Sequence, residues 1–170
     1  MSSSSGREDL PTMKNGGGSG SGEEDFLILK SNDGEEFRVK SSIAIQSVMI
    51  KNMVEDGCSS GAIPVNNLDG KMLALVLEYM NNQGDPRVSN EDKEKFNSEY
   101  VKRDDGILFS LLLAANYLEI KDMMELLCQT IADKIKEMKV EECRKYFNIE
   151  NDFTPEEEDA IRKEHEWAFH

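Results

Sequence analysis

Histidine and cysteine are scarce in this chain of 170 residues, which contains two histidines and three cysteines. His165 and His170 both lie near the end of the chain, so they offer too few clustered ligands for a zinc site. Cys58, Cys128 and Cys143 are odd in number and include no Cys-x-x-Cys pair, which is typical of a reducing compartment. Nothing pairs a thiol with a base, so a thiol enzyme is disfavoured. We expect no metal, no cofactor and no catalysis.

Long hydrophobic runs are also missing. The longest apolar stretch, residues 107–115, is interrupted by Ser110 and is too short to span a bilayer. The start of the chain lacks the charged segment followed by an apolar core that marks a signal peptide. We therefore expect no membrane partner and a location in the nucleus and cytoplasm.

Basic residues are outnumbered, with 20 Lys and Arg against 34 Asp and Glu and a net charge of −14. A surface of that sign repels phosphate backbones, so nucleic acid is not an expected partner. Residues 150–166 contain eight carboxylates and two basic side chains, a local net of 2 − 8 = −6. A partner at this segment should have a basic rim; the alternative is a solvated face that keeps the protein soluble.

The first 24 residues are rich in glycine and serine, which together supply 12 of them. This composition has too little apolar content to fold, so residues 1–24 are predicted to be a disordered tail. The glycine run lacks the Gly-Lys-Ser/Thr ending of a phosphate-binding loop. The remaining chain is long enough to bury the core of one domain.

That domain opens with mixed α and β signals. Residues 26–30 and 37–40 are predicted strands, and Asp33-Gly34 between them favours a tight hairpin turn. Residues 62–65 form a brief apolar run that predicts another strand.

Helices are predicted around these strands. One is capped by Ser41 or Ser42 and ends before Gly57, and another is capped by Asp69. Residues 81–105 are polar and contain glycine and proline breakers, which predicts an insertion or flexible loop with one short helix.

Asp104 or Asp105 then caps a helix that is apolar nearly all round, which predicts a place at the centre of the fold. This helix ends in Asn116-Tyr117, where the apolar run would otherwise continue. The pair either presents hydrogen-bonding groups to a partner or is an ordinary helix end with the tyrosine hydroxyl in water.

The last quarter of the chain combines apolar side chains with short, acidic elements. Thr154 is a helix cap, Pro155 suits the first helical position, and Glu157 completes a capping box. The apolar stripe of the helix that begins at Thr154 is sparse. This helix is therefore either a partner-docking element or a frayed, solvated tail. The helix before it has a regular apolar seam: Met124, Leu127, Ile131, Ile135 and Met138.

Several motifs in this order resemble one family of adaptors. They are Leu113-Ala114-Ala115-Asn116-Tyr117-Leu118, then Phe147-Asn148-Ile149 with Asn151-Asp152-Phe153-Thr154, then Arg162-Lys163-Glu164 and Trp167. Together they resemble the S-phase kinase-associated protein family, which joins F-box proteins to a cullin in SCF ubiquitin ligases. The similarity runs from about residue 26 to residue 167, and the terminal segment 166–169 looks most like plant members.

The resemblance implies an α/β fold with a BTB/POZ-like core at residues 25–120, which would bind a cullin, and additional helices at residues 121–170, which would bind an F-box. It implies that Asn116 and Tyr117 contact the cullin. The F-box contacts that it implies are Cys128, Ile131, Ile135, Cys143, Phe147, Ile149, Phe153 and Trp167.

The chain departs from the family pattern at two helical positions. Lys139-Val140 replaces a Thr-Pro pair, so the cap and the proline of a short helix are lost and its start should be looser. Cys143 replaces a branched aliphatic residue, which reduces the buried apolar area by an amount worth roughly 1 kcal/mol. The segment 55–63 is also shorter and less acidic than in animal members.

The expected function is therefore a non-catalytic adaptor that bridges a cullin to F-box proteins in ubiquitination. The departures indicate a diverged paralogue with a narrower set of partners. The alternative is a diverged BTB-fold interaction module, self-associating or acting as an F-box chaperone or decoy, without ligase assembly.

Overall fold

The computed structural model describes residues 25–57 and 61–165. Its small sheet has the strand order β2-β1-β3, from β1 (Phe26–Ser31), β2 (Glu36–Lys40) and β3 (Ile63–Val65). Strands β1 and β2 form the predicted antiparallel hairpin, and β3 pairs parallel to β1. Gly34 in the hairpin turn has φ of 90°, a left-handed conformation that glycine adopts without steric cost. The predicted hairpin and third strand are confirmed.

Eight helices lie within the described residues, and most of the fold is helical. They are α1 (Ser41–Ala44), α2 (Val48–Glu55), α3 (Gly70–Gly84), α4 (Asn90–Tyr100), α5 (Asp105–Leu118), α6 (Lys121–Ile135), α7 (Val140–Tyr146) and α8 (Pro155–Glu164). The predicted caps are confirmed where the side chain acts locally: Asp69 accepts a hydrogen bond from the Met72 N–H, and Asp104 accepts one from the Gly106 N–H. In the described part of the chain, no helix combines the length and apolarity needed to cross a membrane.

The predicted helix after β2 is wrong in two respects. Neither Ser41 nor Ser42 caps it, because both lie inside α1, whose N-cap residue is Lys40 and has no side-chain cap bond. The helix is also divided into α1 and α2 at Ser47. Ser47 has an extended backbone, and its hydroxyl accepts from the Ile50 N–H at 3.2 Å. The same hydroxyl donates to the Leu118 carbonyl at the end of α5, at 2.5 Å. Ser47 is fully buried, so this hydroxyl joins two helix ends inside the core.

Replacing Ser47 by alanine is expected to lower the free energy of unfolding by about 2 kcal/mol, because it removes a cap and leaves a buried carbonyl unpaired. Ser89 caps α4 in the same way, accepting from the Asp92 N–H at 3.1 Å, but it is exposed. Ser89→Ala is the matched control and should lower the free energy of unfolding by about half as much. Urea denaturation of both variants measures the difference, and equal losses would contradict the buried role.

Residues 81–105 differ from the predicted loop. The expected short helix exists as α4, but α3 continues to Gly84 and the segment is anchored to the core. Tyr100 is buried, its hydroxyl donates to the Leu75 carbonyl at 2.8 Å, and its ring lies 5.3 Å from that of Phe96. Tyr100 anchors this polar segment to α3, because its hydroxyl bonds to Leu75 and its ring lies 5.5 Å from that of Tyr79, while Phe96 packs against Tyr100 within α4.

Helix α5 occupies the centre of the fold, as predicted, and packs against α3 and α6. Its buried side consists of Leu108, Leu111, Ala114, Ala115 and Leu118. Its opposite side is open, however, and Leu113 is 71% exposed. An apolar side chain that the domain leaves in water points to a contact surface at this end of the helix.

Candidate partner-binding surfaces

The C-terminal end of α5 is held in a defined geometry by its last turn. Glu119 has φ of 54°, and the Ile120 N–H donates to the Ala115 carbonyl at 2.9 Å. The Glu119 N–H donates to the Asn116 carbonyl at 3.1 Å. These two bonds form a Schellman motif, in which the buried Ile120 packs behind the helix end. The helix therefore stops abruptly and its last turn is rigid.

Three side chains on that last part of α5 form a surface that we call the α5 patch: Leu113, Asn116 and Tyr117. Asn116 is exposed, and Tyr117 is half-buried against the core. Leu113 lies three and four residues before them, so the three side chains share one side of the helix. Asn116 and Tyr117 were predicted from the sequence as candidate contacts, whereas Leu113 was not. The polar residues Ser110 and Asn116 lie three positions before and after Leu113, and they were the sequence signal that this side of the helix is exposed.

The residues predicted to contact an F-box lie in different environments. Cys128, Phe147, Ile149 and Phe153 are exposed, Ile135 and Cys143 are half-buried, Ile131 is buried, and Trp167 lies outside the described residues. Cys143 and Ile135 are brought together, since the Cys143 Sγ lies 3.9 Å from the Ile135 carbonyl oxygen. Buried Ile131 is the least accessible of the set in this arrangement.

Helix α7 has an asymmetric pair of ends. At its start, Lys139 contributes no side-chain cap, while the Glu142 carboxylate accepts from the Lys139 N–H at 2.8 Å. One half of a capping box is therefore present and the other half is absent. At its end, Asn148 has φ of 53° and the Ile149 N–H donates to the Arg144 carbonyl at 2.7 Å. This second Schellman motif turns the chain outward and leaves Ile149 58% exposed.

An aromatic cluster attaches α7 to α5. The ring of Phe109 lies 5.4 Å from that of Tyr146 and 5.8 Å from that of Phe147, and the last two rings are 5.1 Å apart. These tilted and edge-to-face arrangements are favourable for aromatic pairs. Phe109 and Tyr146 were not predicted as contributors, because their contact joins residues that are far apart in the chain.

A polar junction lies beside this cluster. Asp105 Oδ1 accepts hydrogen bonds from Lys134 Nζ at 2.5 Å and from the Tyr146 hydroxyl at 3.1 Å. The hydrogen bond from Lys134 holds the pKa of the Asp105 carboxyl below its ordinary value. Partial burial, and then the neighbouring Asp105, raise the pKa of the Tyr146 hydroxyl. Asp105 is therefore charged and Tyr146 neutral at physiological pH, as this geometry requires.

Helix α8 begins at the predicted capping box. The Thr154 hydroxyl accepts from the Glu157 N–H at 3.3 Å, and the Glu157 carboxylate accepts from the Thr154 N–H at 2.9 Å. The backbone bond from Thr154 holds the pKa of Glu157 below its ordinary value. Arg144 on α7 reaches both Glu141 at 2.5 Å and Glu158 on α8 at 3.1 Å. It thus links the two terminal helices.

Replacing Arg144 by glutamine is expected to increase amide hydrogen exchange in α8 by about two- to fivefold. A helix of ten residues has little stability of its own, so it depends on tertiary contacts such as the one with Arg144. Arg162→Gln, an exposed change within α8, is the control and should leave exchange nearly unchanged. Equal exchange in both variants would contradict the link.

Exposed apolar side chains are concentrated in this last part of the chain. Of the nine large hydrophobic residues found exposed in the described residues, five follow position 139. We call these the C-terminal apolar surface: Val140, Phe147, Ile149, Phe153 and Ile161. Neither α7 nor α8 has a buried residue. Short helices that have no fully buried residue and keep large apolar side chains exposed are typical of a docking surface.

Within residues 25–57 and 61–165, no group of three or more His, Cys, Asp or Glu side chains is arranged to hold a metal ion. Cys128 is a free, exposed thiol and Cys143 a free, half-buried one, whereas Cys58 lies outside the described residues.

Comparison with known proteins gives two family matches and several curated relatives. Residues 25–85 match the Skp1 family tetramerisation domain, of POZ type, and residues 121–168 match the Skp1 family dimerisation domain. SKP1-like protein 1 of Oryza sativa subsp. japonica is 44% identical over an alignment of 168 residues. The alignment covers 87% of this chain and 97% of the relative. SKP1-like protein 12 of Arabidopsis thaliana is 47% identical over 148 residues, covering 85% of this chain and 97% of the relative.

These matches confirm the fold class, an α/β fold with a BTB/POZ-like core and additional C-terminal helices. They also confirm the resemblance to plant members. The chain belongs to the Skp1 family.

Proposed function

We propose that this protein is a non-catalytic adaptor subunit of SCF ubiquitin ligases, which joins a cullin to F-box substrate receptors. Membership of the Skp1 family supports an SCF adaptor at the level of the family, and an adaptor rather than an enzyme. In this proposal, residues 25–120 serve the cullin and residues 121–170 serve the F-box protein. Neither role involves a cofactor.

One structural observation carries the proposal: both candidate surfaces are attached to the same helix. Asp105 and Phe109, in the first half of α5, hold α7 and its exposed side chains. Asn116 and Tyr117, with Leu113, lie in the second half. A helix of 14 residues is about 20 Å long and stiff, so it sets a constant separation between the two surfaces.

A constant separation is what a scaffold of this kind requires. A rigidly held F-box protein would present its substrate at high effective concentration to machinery carried by the cullin. The adaptor needs no reactive group for this, only two independent docking surfaces.

Each surface has a chemistry that suits its proposed partner. On the α5 patch, Leu113 supplies apolar area and Asn116 and Tyr117 supply hydrogen-bonding groups. The C-terminal apolar surface supplies aliphatic and aromatic anchors beside the acidic segment 150–166. Apolar anchors provide affinity, and the acidic rim selects an F-box protein with basic residues at its edge.

The proposal is tested by pull-down of the full chain with a panel of F-box segments and, separately, with a cullin N-terminal domain. Binding to both is the expected result. Binding to F-box segments without the cullin would favour the alternative, a diverged module acting as a chaperone or decoy. Binding to neither would refute the adaptor function.

We also propose that the protein is located in the nucleus and cytoplasm. The support is indirect: Cys128 and Cys143 are free thiols, which fits a reducing compartment. Imaging of a fluorescent fusion tests the proposal, and accumulation in a secretory compartment would contradict it.

A further inference from the structure

Three side chains from three helices meet at the N-terminal end of α5. Asp105 is the first residue of α5, Lys134 lies in the last turn of α6, and Tyr146 is the last residue of α7. A single carboxylate oxygen, Asp105 Oδ1, accepts from both Lys134 Nζ at 2.5 Å and the Tyr146 hydroxyl at 3.1 Å. The negative charge of Asp105 makes both bonds charge-assisted and therefore directional.

These bonds matter because the other contacts of α7 with the core are less directional. No residue of α7 is fully buried, and Cys143 and Tyr146 are only half-buried, so burial alone selects the position of the helix weakly. The aromatic contacts of Phe109 with Tyr146 and Phe147 hold it close, but offset ring pairs tolerate sliding. The hydroxyl of Tyr146 has one acceptor at one distance, which specifies the rotation and register of the helix end.

The position of this helix end sets the position of the residues that follow. Phe147 is adjacent to Tyr146 in the chain, and the Schellman motif at Asn148 directs Ile149 outward from the same turn. Both belong to the C-terminal apolar surface, where they are 39% and 58% exposed. Any rotation of α7 about its axis moves both side chains relative to α5 and α6.

We propose that Asp105, Lys134 and Tyr146 are positioning residues, which lock α7 so that Phe147 and Ile149 are oriented for the F-box protein. The inference rests on the proposed adaptor function. Asp105 begins the helix that ends in the α5 patch. The junction of these three residues therefore also sets the position of the F-box surface relative to the cullin surface. Loss of the junction reduces the fraction of molecules with α7 in the binding position, and F-box affinity falls by that fraction.

The test uses the full chain and the variant Tyr146→Phe, which removes one oxygen and keeps the ring in the aromatic cluster. We expect affinity for an F-box segment to fall about fivefold, the effect of losing one hydrogen bond of ordinary net strength, because the Asp105 side chain is partly exposed to water. Affinity for the cullin N-terminal domain should remain unchanged, since α7 is at the other end of α5. Lys134→Met should act in the same direction, and Lys136→Met, which removes only an exposed ion pair with Asp133, is the matched control.

A second readout needs no partner. Amide hydrogen exchange at the end of α7 should increase in Tyr146→Phe and in Lys134→Met, but not in Lys136→Met. In an Asp105→Asn background, Tyr146→Phe should have a smaller additional effect than in the wild type, because the shared charged acceptor is already gone.

The outcomes separate this inference from the proposed function. Wild-type binding to both partners, with Tyr146→Phe leaving F-box affinity and α7 exchange unchanged, would overturn the positioning role alone. A parallel loss of cullin affinity and thermal stability would also overturn it, by showing a general structural role. Failure of the wild type to bind any F-box segment would refute the adaptor function, and the positioning role with it.

Discussion

Replacing Asn116 and Tyr117 together by lysine is expected to abolish binding to a cullin N-terminal domain while F-box binding persists. Asn116 is exposed and Tyr117 half-buried at the rigid end of α5, beside the apolar Leu113. Two ammonium groups buried against a partner without counter-charges cost several kcal/mol, which corresponds to more than about a hundredfold in affinity. Titration calorimetry with the two partners in separate experiments measures the effect.

The control for this variant is Glu94→Lys, an exposed change on α4 that raises the net charge by two, as the double replacement does. Its affinities for the cullin domain and for the F-box segment should stay within about twofold of the wild-type values, because a change in net charge alone has a weak effect on binding at physiological salt. Loss of F-box binding as well in the double variant, together with a lower melting temperature, would show that Tyr117 is a core residue rather than a partner contact.

Truncating Phe153 to alanine is expected to weaken F-box binding by about thirtyfold, or 2 kcal/mol, the effect of losing an aromatic anchor at an interface. Phe153 is 48% exposed, and its side chain makes no ring contact within the described residues. Its backbone is held by the Asn151 side chain, which accepts from the Phe153 N–H at 3.2 Å. The ring is therefore presented to a partner at little cost to the stability of the domain.

Phe26→Ala supplies a matched comparison, because Phe26 is an exposed phenylalanine on the sheet, 38% exposed beside Arg38. It removes the same atoms far from the C-terminal apolar surface and should leave F-box affinity unchanged. If both truncations weakened F-box binding equally, or if Phe153→Ala lowered the melting temperature without changing affinity, the anchor role of Phe153 would be refuted.

The features predicted correctly share a physical basis: each depends on residues close together in the chain. Asp69, Asp104 and Thr154 cap helices that begin beside them, since a cap bond spans two or three residues. The hairpin turn at Asp33-Gly34 is local in the same sense. Such signals need no knowledge of the rest of the fold.

Apart from the cap predicted at Ser41 or Ser42, the features that were missed depend on contacts between distant segments. Ser47 divides a predicted helix because its hydroxyl bonds to Leu118, 71 residues later. Tyr100 holds a polar segment because its hydroxyl finds the Leu75 carbonyl on another helix. Because Leu113 lies in an apolar helix, its sequence context predicts that it is buried. In the structure α3 and α6 cover the other side of α5, and Leu113 remains exposed to solvent. Hydrophobic pattern alone does not distinguish a covered face from an open one.

By itself, the sequence determined the fold class, the local caps and the family motifs, because these reside in short-range order and in residue identity. Tertiary structure alone decided which apolar side chains face solvent and which polar ones join separate helices. The junction of Asp105, Lys134 and Tyr146 is the clearest case, since its members are separated by 29 and 41 positions from Asp105. Their meeting follows from how α5, α6 and α7 pack, and no spacing in the chain specifies it.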